Sequence, residues 1–379
     1  MNFELSDEQR MLQESLQRFL ADTYSFEARR RHLAQETGYD PAVWRSYADL
    51  GLLALPFAEA DGGLGGGAVE TMIVMEALGS VLAVEPYLST AVLAASLLRN
   101  LASAEERAAL VPQVAAGELL LAVAYEEPGS WYEPSLVATR ARRVGEGWRL
   151  SGAKTLVLNG DQADKLLVTA RLAGAAGDEG GIGLFLLDGA AAGLARRGYP
   201  TQDGLRAAEL QLDEAEAEAL IGGSEDALPA LRRALDEALA AVSAEAVGAM
   251  AAALALTVDY LKTRRQFDAP LGKFQALQHR ASEMLVAIEQ ARSMALYATM
   301  MCREEDRGLR ERALSAAKIQ IGRSVRFVGQ QAVQLHGGVA MTMEYAIGHY
   351  MKRLTMIEKA FGDTDFHLER LSAAGGLAA

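Results

Sequence analysis

Histidine, cysteine and glycine-rich stretches are where this sequence could carry chemistry. The five histidines, His32, His279, His336, His349 and His367, never fall three or four residues apart, so no helical face carries a metal-binding pair. Cys302 is the single cysteine, which excludes an intrachain disulfide and a cysteine-based zinc site. Gly63-Leu64-Gly65-Gly66-Gly67-Ala68 formally matches the dinucleotide fingerprint G-x-G-x-x-G/A. That fingerprint works only between a strand and a helix of a βαβ unit. Here the preceding sequence is helical and no strand–helix alternation follows, so a flexible glycine loop is expected. No Lys-Ser/Thr follows a glycine loop and no Gly-x-Ser-x-Gly occurs, so neither a P-loop nor a nucleophile elbow is present. The C-terminal part is richer. Tyr260, Arg264, Gln266 and Phe267 close one long helical stretch, and Pro270, Phe274 and Gln275 open the next. Gln334-Leu335-His336-Gly337-Gly338 follows later. Taken singly, Arg264 and Arg265 read as a solvated helix end that complements the dipole, and His336-Gly337-Gly338 as a helix cap.

The elements that must position these residues fall into three zones. Residues 1–120 read as helices. Ser6 with Gln9 has capping-box spacing, and Met11, Leu12, Leu16, Phe19 and Leu20 share one helical face. Asp40-Pro41 starts another helix, and Glu70–Leu78, Ser89–Leu101 and Ala104–Ala115 complete the block. Residues 121–224 change period. Leu119–Ala124, Trp148–Leu150, Thr155–Leu158, Leu166–Ala170 and Gly183–Leu187 are short apolar or alternating runs between turn residues, which implies a small antiparallel barrel or sandwich. Residues 225–379 are helical again, with long stretches at Ala227–Lys262, Phe274–Cys302, Leu309–Leu335 and Thr342–Leu354 that suggest a bundle. The tail from Ala373 to Ala379 is expected to fray.

Composition narrows the function classes. A formal charge of −13 over 379 residues repels phosphate backbones and argues against general nucleic-acid binding. Half the residues are hydrophobic, largely alanine, the best helix former. The N-terminus has neither signal- nor transit-peptide character, and the apolar stretch Val247–Val258 is too short for a membrane span. One thiol fits a reducing compartment, so a cytoplasmic location is expected.

Taken together the motifs resemble the acyl-CoA dehydrogenase family along essentially the whole chain. Arg264 to Gln275 follows the pattern R-x-Q-F-G-x-x-I-x-x-F-Q, and Gln334 to Gly338 begins Q-x-x-G-G-x-G. Phe3-x-Leu5-Ser6-x-Glu8-Gln9, Gly62-Gly63-Leu64-Gly65, Glu126-Glu127-Pro128-Gly129 and Gly152-Ala153-Lys154 resemble further family segments. The resemblance implies a mixed α and β fold: an N-terminal helical domain, a central antiparallel β-barrel and a C-terminal four-helix bundle. It implies FAD as cofactor, an acyl-CoA substrate, α,β-dehydrogenation, and an electron-transfer flavoprotein as acceptor. It also implies a homotetramer, or a heterotetramer with a related subunit. In the bundle it assigns cofactor contacts to Arg264, Gln266, Phe267, Gln334, Gly337 and Gly338. It adds Glu126, Leu156 and Leu158 in the β domain, and Thr364 near the C-terminus.

The departures from the family pattern fall on catalytic positions. Phe361-Gly362-Asp363-Thr364 stands for Y-E-G-T, so Gly362 occupies the place of the usual glutamate base. The alternative base position on the first long bundle helix is Ala238, beside Leu239. The nearest acids are Asp363, the first candidate, with helix capping as its alternative, and Glu237, which reads as a solvated residue opposite the apolar stripe. On the flavin-facing strand Leu156 replaces a tryptophan and Leu158 a threonine that bonds the ring, and Trp131 replaces an acid. These changes resemble the small-subunit branch, like the pimeloyl-CoA dehydrogenase small subunit. A catalytically silent structural subunit is therefore the alternative to an active dehydrogenase.

Overall fold

The computed structural model describes residues 4–376. Phe3 of the opening motif and the last residues of the tail, 377–379, lie outside them. The capping box forms as its spacing predicts: Ser6 Oγ accepts the Gln9 amide at 3.2 Å, and Gln9 Oε1 accepts the Ser6 amide at 3.0 Å. It opens α1 (Asp7–Thr23), followed by α2 (Phe26–Leu33). Asp40 accepts the Ala42 amide and starts α3 (Pro41–Asp49). After α4 (Ala68–Val81), a π-helical run, Leu88–Ala94, leads into α5 (Ala95–Leu101). A second capping box, Ser103 with Glu106, opens α6 (Ala104–Ala115). The glycine loop is packed, not free. Its amides at Leu64, Gly65 and Gly66 donate to the carbonyls of Ala54, Phe57 and Leu55, so none of these three is left to cradle a phosphate.

The central strands are β1 (Leu121–Ala124), β2 (Arg140–Val144), β3 (Gly147–Leu158), β4 (Lys165–Arg171), β5 (Ile182–Asp188), β6 (Leu194–Pro200), β7 (Arg206–Ala217) and β8 (Ala219–Leu220). They form one sheet in the order β6-β7-β3-β2-β4-β5-β8, with β1 paired parallel to β4. This corrects the closed antiparallel barrel. The sheet is open and mixed, because β1 runs parallel to β4 and β2 joins β4 only at Arg140–Arg171. The two runs expected at 148–150 and 155–158 are one long strand, β3. Leu150, Val157, Leu166, Val168, Phe185, Leu210 and Leu212 form its apolar core.

The C-terminal helices are α7 (Leu228–Thr263), α8 (Gln275–Met301), α9 (Arg307–His336), α10 (Ala346–Lys359) and α11 (Thr364–Ala373). A short hairpin, Arg265–Gln266 with Ala269–Pro270, links α7 to α8. Leu239 and Ala240 of α7 pack with Ala298 and Cys302 at the end of α8 and with Leu314 and Ala317 of α9. By contacts the chain forms two compact units. One comprises the residues through Arg31, Ala68–Ala83 and everything from Leu239 on; the other is His32–Gly67 with Val84–Ala238. Within the helical unit α4 and α7 cross backbone to backbone. A methyl group on Gly79 would collide with the Glu245 carbonyl, and one on Gly248 with the Glu76 carbonyl. The apolar stretch Val247–Val258, by itself too short to span a membrane, belongs to a helix that is long and apolar enough, with a mean hydropathy of 1.8 over its best window. That window is 72% buried within the protein, as in a core helix.

Candidate active site

In the sheet unit the candidate residues lie on the segment after β1 and on β3. Glu127 accepts a hydrogen bond from Lys154 Nζ at 2.6 Å and from the amides of Ala138 at 2.7 Å and Thr139 at 3.0 Å. Lys154 is buried and also donates to Thr169 Oγ1 at 2.9 Å. Burial pushes Lys154 down to about 8, against the pull of Glu127. Burial alone would raise Glu127, but Lys154, Thr139 and the Ala138 amide together hold it below the usual carboxylate range. Its neighbour Glu126 has the opposite environment. Burial raises it, and the Tyr125 hydroxyl, donating at 2.9 Å, offsets this only in part. The Thr155 amide donates to the Glu126 carbonyl at 2.9 Å, which ties the segment to β3.

At that point β3 bulges. Leu156 adopts a left-handed backbone, φ +51°, and its side chain is 42% exposed. Leu158 returns to the ladder opposite Ala207. Trp131 and Tyr132 are also left-handed, and Trp131 projects with 82% of its surface exposed. Arg171 fixes the base of that loop. Its guanidinium donates to the carbonyls of Ser135, Val137 and Gly180, each at 2.9 Å. The sequence offered no signal for Arg171.

Glu237 belongs to this unit and is not solvated. Arg99 Nη2 approaches its carboxylate at 2.5 Å, Ser96 Oγ donates at 3.1 Å, and the side chain is 10% exposed. The face opposite the leucine stripe is covered because α5 presents Ser96 and Arg99 to it. Ala238 and Leu239 are buried.

In the helical unit Arg264, Gln266 and Phe267 are exposed around the hairpin, with Phe267 left-handed and edge-on to Phe274. No carboxylate lies within ion-pair reach of Arg264 among the described residues. Gln334, Gly337 and Gly338 are exposed at the end of α9. Gly337 is left-handed, φ +65°, and no atom lies within 4 Å of where either glycine would carry a Cβ. The buried His336 ring stacks on Tyr260 with centroids 4.5 Å apart. The fold thus brings the arginine turn and the Gln334–Gly338 segment together.

The turn from Glu358 to Thr364 is fully engaged. Lys318, buried on α9, donates to the carbonyls of Glu358 at 2.8 Å and Gly362 at 2.6 Å, and burial pushes it down to about 8. Glu358 accepts from the Thr364 hydroxyl at 3.0 Å and pairs with Arg326 and Lys359. The Thr364 hydroxyl is therefore already committed. Asp363 is the N-cap of α11, the capping alternative to its role as a base. It accepts the Phe366 amide at 3.0 Å and pairs with Lys359 at 2.8 Å, which holds its carboxyl below the usual range. Gly362 has φ +100°, and a Cβ there would lie 2.5 Å from Phe366 and 2.6 Å from His367.

Models of the acyl-CoA dehydrogenase N-terminal, middle and C-terminal domains match residues 6–118, 122–215 and 228–375. The acyl-CoA dehydrogenase FadE12 of Mycobacterium tuberculosis is 30% identical over 362 residues, covering 91% of this chain and 90% of its own. The chain belongs to the acyl-CoA dehydrogenase family. It is accordingly a flavoprotein oxidoreductase that uses FAD and dehydrogenates acyl-CoA thioesters across a CH–CH bond. Among solved structures, a Tcur3481–Tcur3483 steroid ACAD variant is 32% identical, with a TM-score of 0.86 and 97% of each chain covered. The ChsE4–ChsE5 complex from Mycobacterium tuberculosis is 26% identical, with a TM-score of 0.86 and 98% of each chain covered.

Proposed function

We propose that this acyl-CoA dehydrogenase holds FAD itself but borrows its proton-abstracting base from a related subunit of a hetero-oligomer. The observation that carries this reading is Gly362. The residue has no side chain, and its backbone and neighbours leave no room for one. The other acids of the turn are committed: Glu358 to Arg326, Lys359 and Thr364, and Asp363 to Lys359 and the start of α11. A base needs a carboxylate free to bind a proton, with its pKa raised toward the working pH. Asp363 is held low, which is the wrong direction. Glu237 is paired with Arg99, and Ala238 cannot act.

The residues for FAD are present in each unit. Arg264 offers a guanidinium without a counter-ion among the described residues, suited to a bidentate pyrophosphate contact. Gly337 and Gly338 leave open backbone that a Cβ would fill. Leu156 offers an apolar surface and Leu158 no hydrogen bond. Bound FAD supplies the hydride acceptor, and an electron-transfer flavoprotein would take the electrons onward. The two-chain composition named for both structural neighbours supports a heteromeric assembly.

The test is an anaerobic titration of the purified chain with a panel of acyl-CoA thioesters, including a steroid side-chain ester. The expected result is a yellow protein whose flavin does not bleach alone but bleaches when a related subunit with an intact glutamate is co-purified. Bleaching by the chain alone, surviving in Asp363→Asn, would overturn the borrowed base. A colourless protein that takes up no FAD would overturn its own cofactor site.

A further inference from the structure

Glu209 on β7 faces two residues of β3 where the ladder provides for one. Cα pairing runs from Lys154–Leu210 directly to Val157–Ala208, so Thr155 and Leu156 share the position opposite Glu209. Such a bulge re-aims a side chain and leaves an extra residue outside the ladder. Here the extra residue is held by a carboxylate clamp. Thr155 Oγ1 donates to Glu209 Oε1 at 2.9 Å, and the Tyr199 hydroxyl, from β6 on the far side, donates to the same oxygen at 2.9 Å. The Leu156 backbone amide interacts with the Tyr199 oxygen in turn. Hydrogen bonds from β3 and β6 thus meet on one oxygen of β7, at a register position shared by a leucine whose left-handed backbone side-chain-bearing residues rarely adopt.

We propose that Glu209 is a positioning residue for Leu156: with Thr155 and Tyr199 it locks the β3 bulge that turns Leu156 out of the sheet, and so shapes the surface on which the FAD ring rests. The inference rests on the reading that Leu156 faces FAD. Burial and Glu209 push Tyr199 up to about 12, so its hydroxyl stays a donor at working pH.

The experiment measures FAD Kd and the circular dichroism of the bound flavin, neither of which needs turnover. Glu209→Leu should weaken FAD binding about tenfold and change the flavin dichroism, while Glu209→Gln, which keeps an acceptor oxygen, should stay within about twofold of the parent. Tyr199→Phe removes one arm of the clamp and should give a smaller loss; it serves if Glu209→Leu does not fold. The decisive arm is a double-mutant cycle with Leu156→Gly. Glycine adopts the left-handed region freely, so clamp removal should cost nothing further in that background. Losses that simply add, or a folded clamp variant with unchanged Kd and dichroism, would overturn the proposal. If Leu156→Gly itself leaves both readouts unchanged while Arg264→Ala still weakens FAD binding, Leu156 does not face FAD; the proposal falls and the cofactor assignment in the helical unit stands.

Discussion

Lys154 in the sheet unit and Lys318 in the helical unit are both buried, both pushed down to about 8, and both hold a neighbouring segment in place. Their shells differ. Lys154 meets a carboxylate, Glu127, whose remaining lone pairs are taken by backbone amides. Lys318 meets two carbonyls, of Glu358 and Gly362. The segment after β1 is therefore held by a buried ion pair, and the 358–364 turn by dipoles. Because Lys318 donates to backbone, the acids of that turn are left to surface cations and to a helix cap. The turn is thus braced through its backbone, and the carboxylates of Glu358 and Asp363 are both engaged.

The largest effect is expected at Lys154. Lys154→Met leaves Glu127 buried without its cation, and should lower stability by about 3–5 kcal/mol in denaturant unfolding. Adding Glu127→Gln should recover a good part of that loss; a double variant as unstable as the single one would show that charge is not what the pair contributes. Lys318→Met strands two carbonyls rather than a charge, and should cost about 1–3 kcal/mol. The two lysines also predict a pH dependence. Their folded values near 8 lie below the ordinary 10.5, so between these limits the unfolded chain binds more protons and stability from this source rises with pH. Lys318→Met should flatten that rise between pH 8 and 10, measured as the shift of the urea midpoint. The smallest effect belongs to Asp363. Asp363→Ala should cost about 1 kcal/mol through the lost cap, Asp363→Asn only a few tenths, and neither should reduce FAD content.

Much of the helical fold was legible because local chemistry marks its ends. Ser6 with Gln9 and Asp40 before Pro41 each cap the helix their spacing announces, and Ala104–Ala115 runs over the residues its pattern indicates. The sheet was only half legible. Leu166–Ala170 and Gly183–Leu187 are apolar enough to read as strands, but β2, β6 and β7 are rich in arginine, glutamate and alanine. Their strand character comes from pairing, and only β7 buries part of its side chains, neither of which composition displays. The site shows the same division. Arg264 and the Gln334–Gly338 segment were visible as motifs. Asp363 could be read as a cap or as a base, and only its bonds to Phe366 and Lys359 decide its local role. Glu209, Arg171 and the pairing of Glu127 with Lys154 depend on strands meeting across long stretches of chain, and no local spacing encodes them.

The crossing of α4 and α7 at Gly79 and Gly248 also sets an order of synthesis. The sheet unit can be completed once residue 238 has left the ribosome, whereas the helical unit is assembled from three separated pieces. Until Gly248 emerges, α4 has only α1 beside it and lacks the α7 backbone it crosses, so its Ile73, Val74 and Leu78, buried in the finished protein, remain without their final packing. Helices α1 and α4 are thus made first and seated last. A nascent chain arrested within α7 would carry a finished sheet beside a sticky, waiting helix, the kind of surface that holdase chaperones bind.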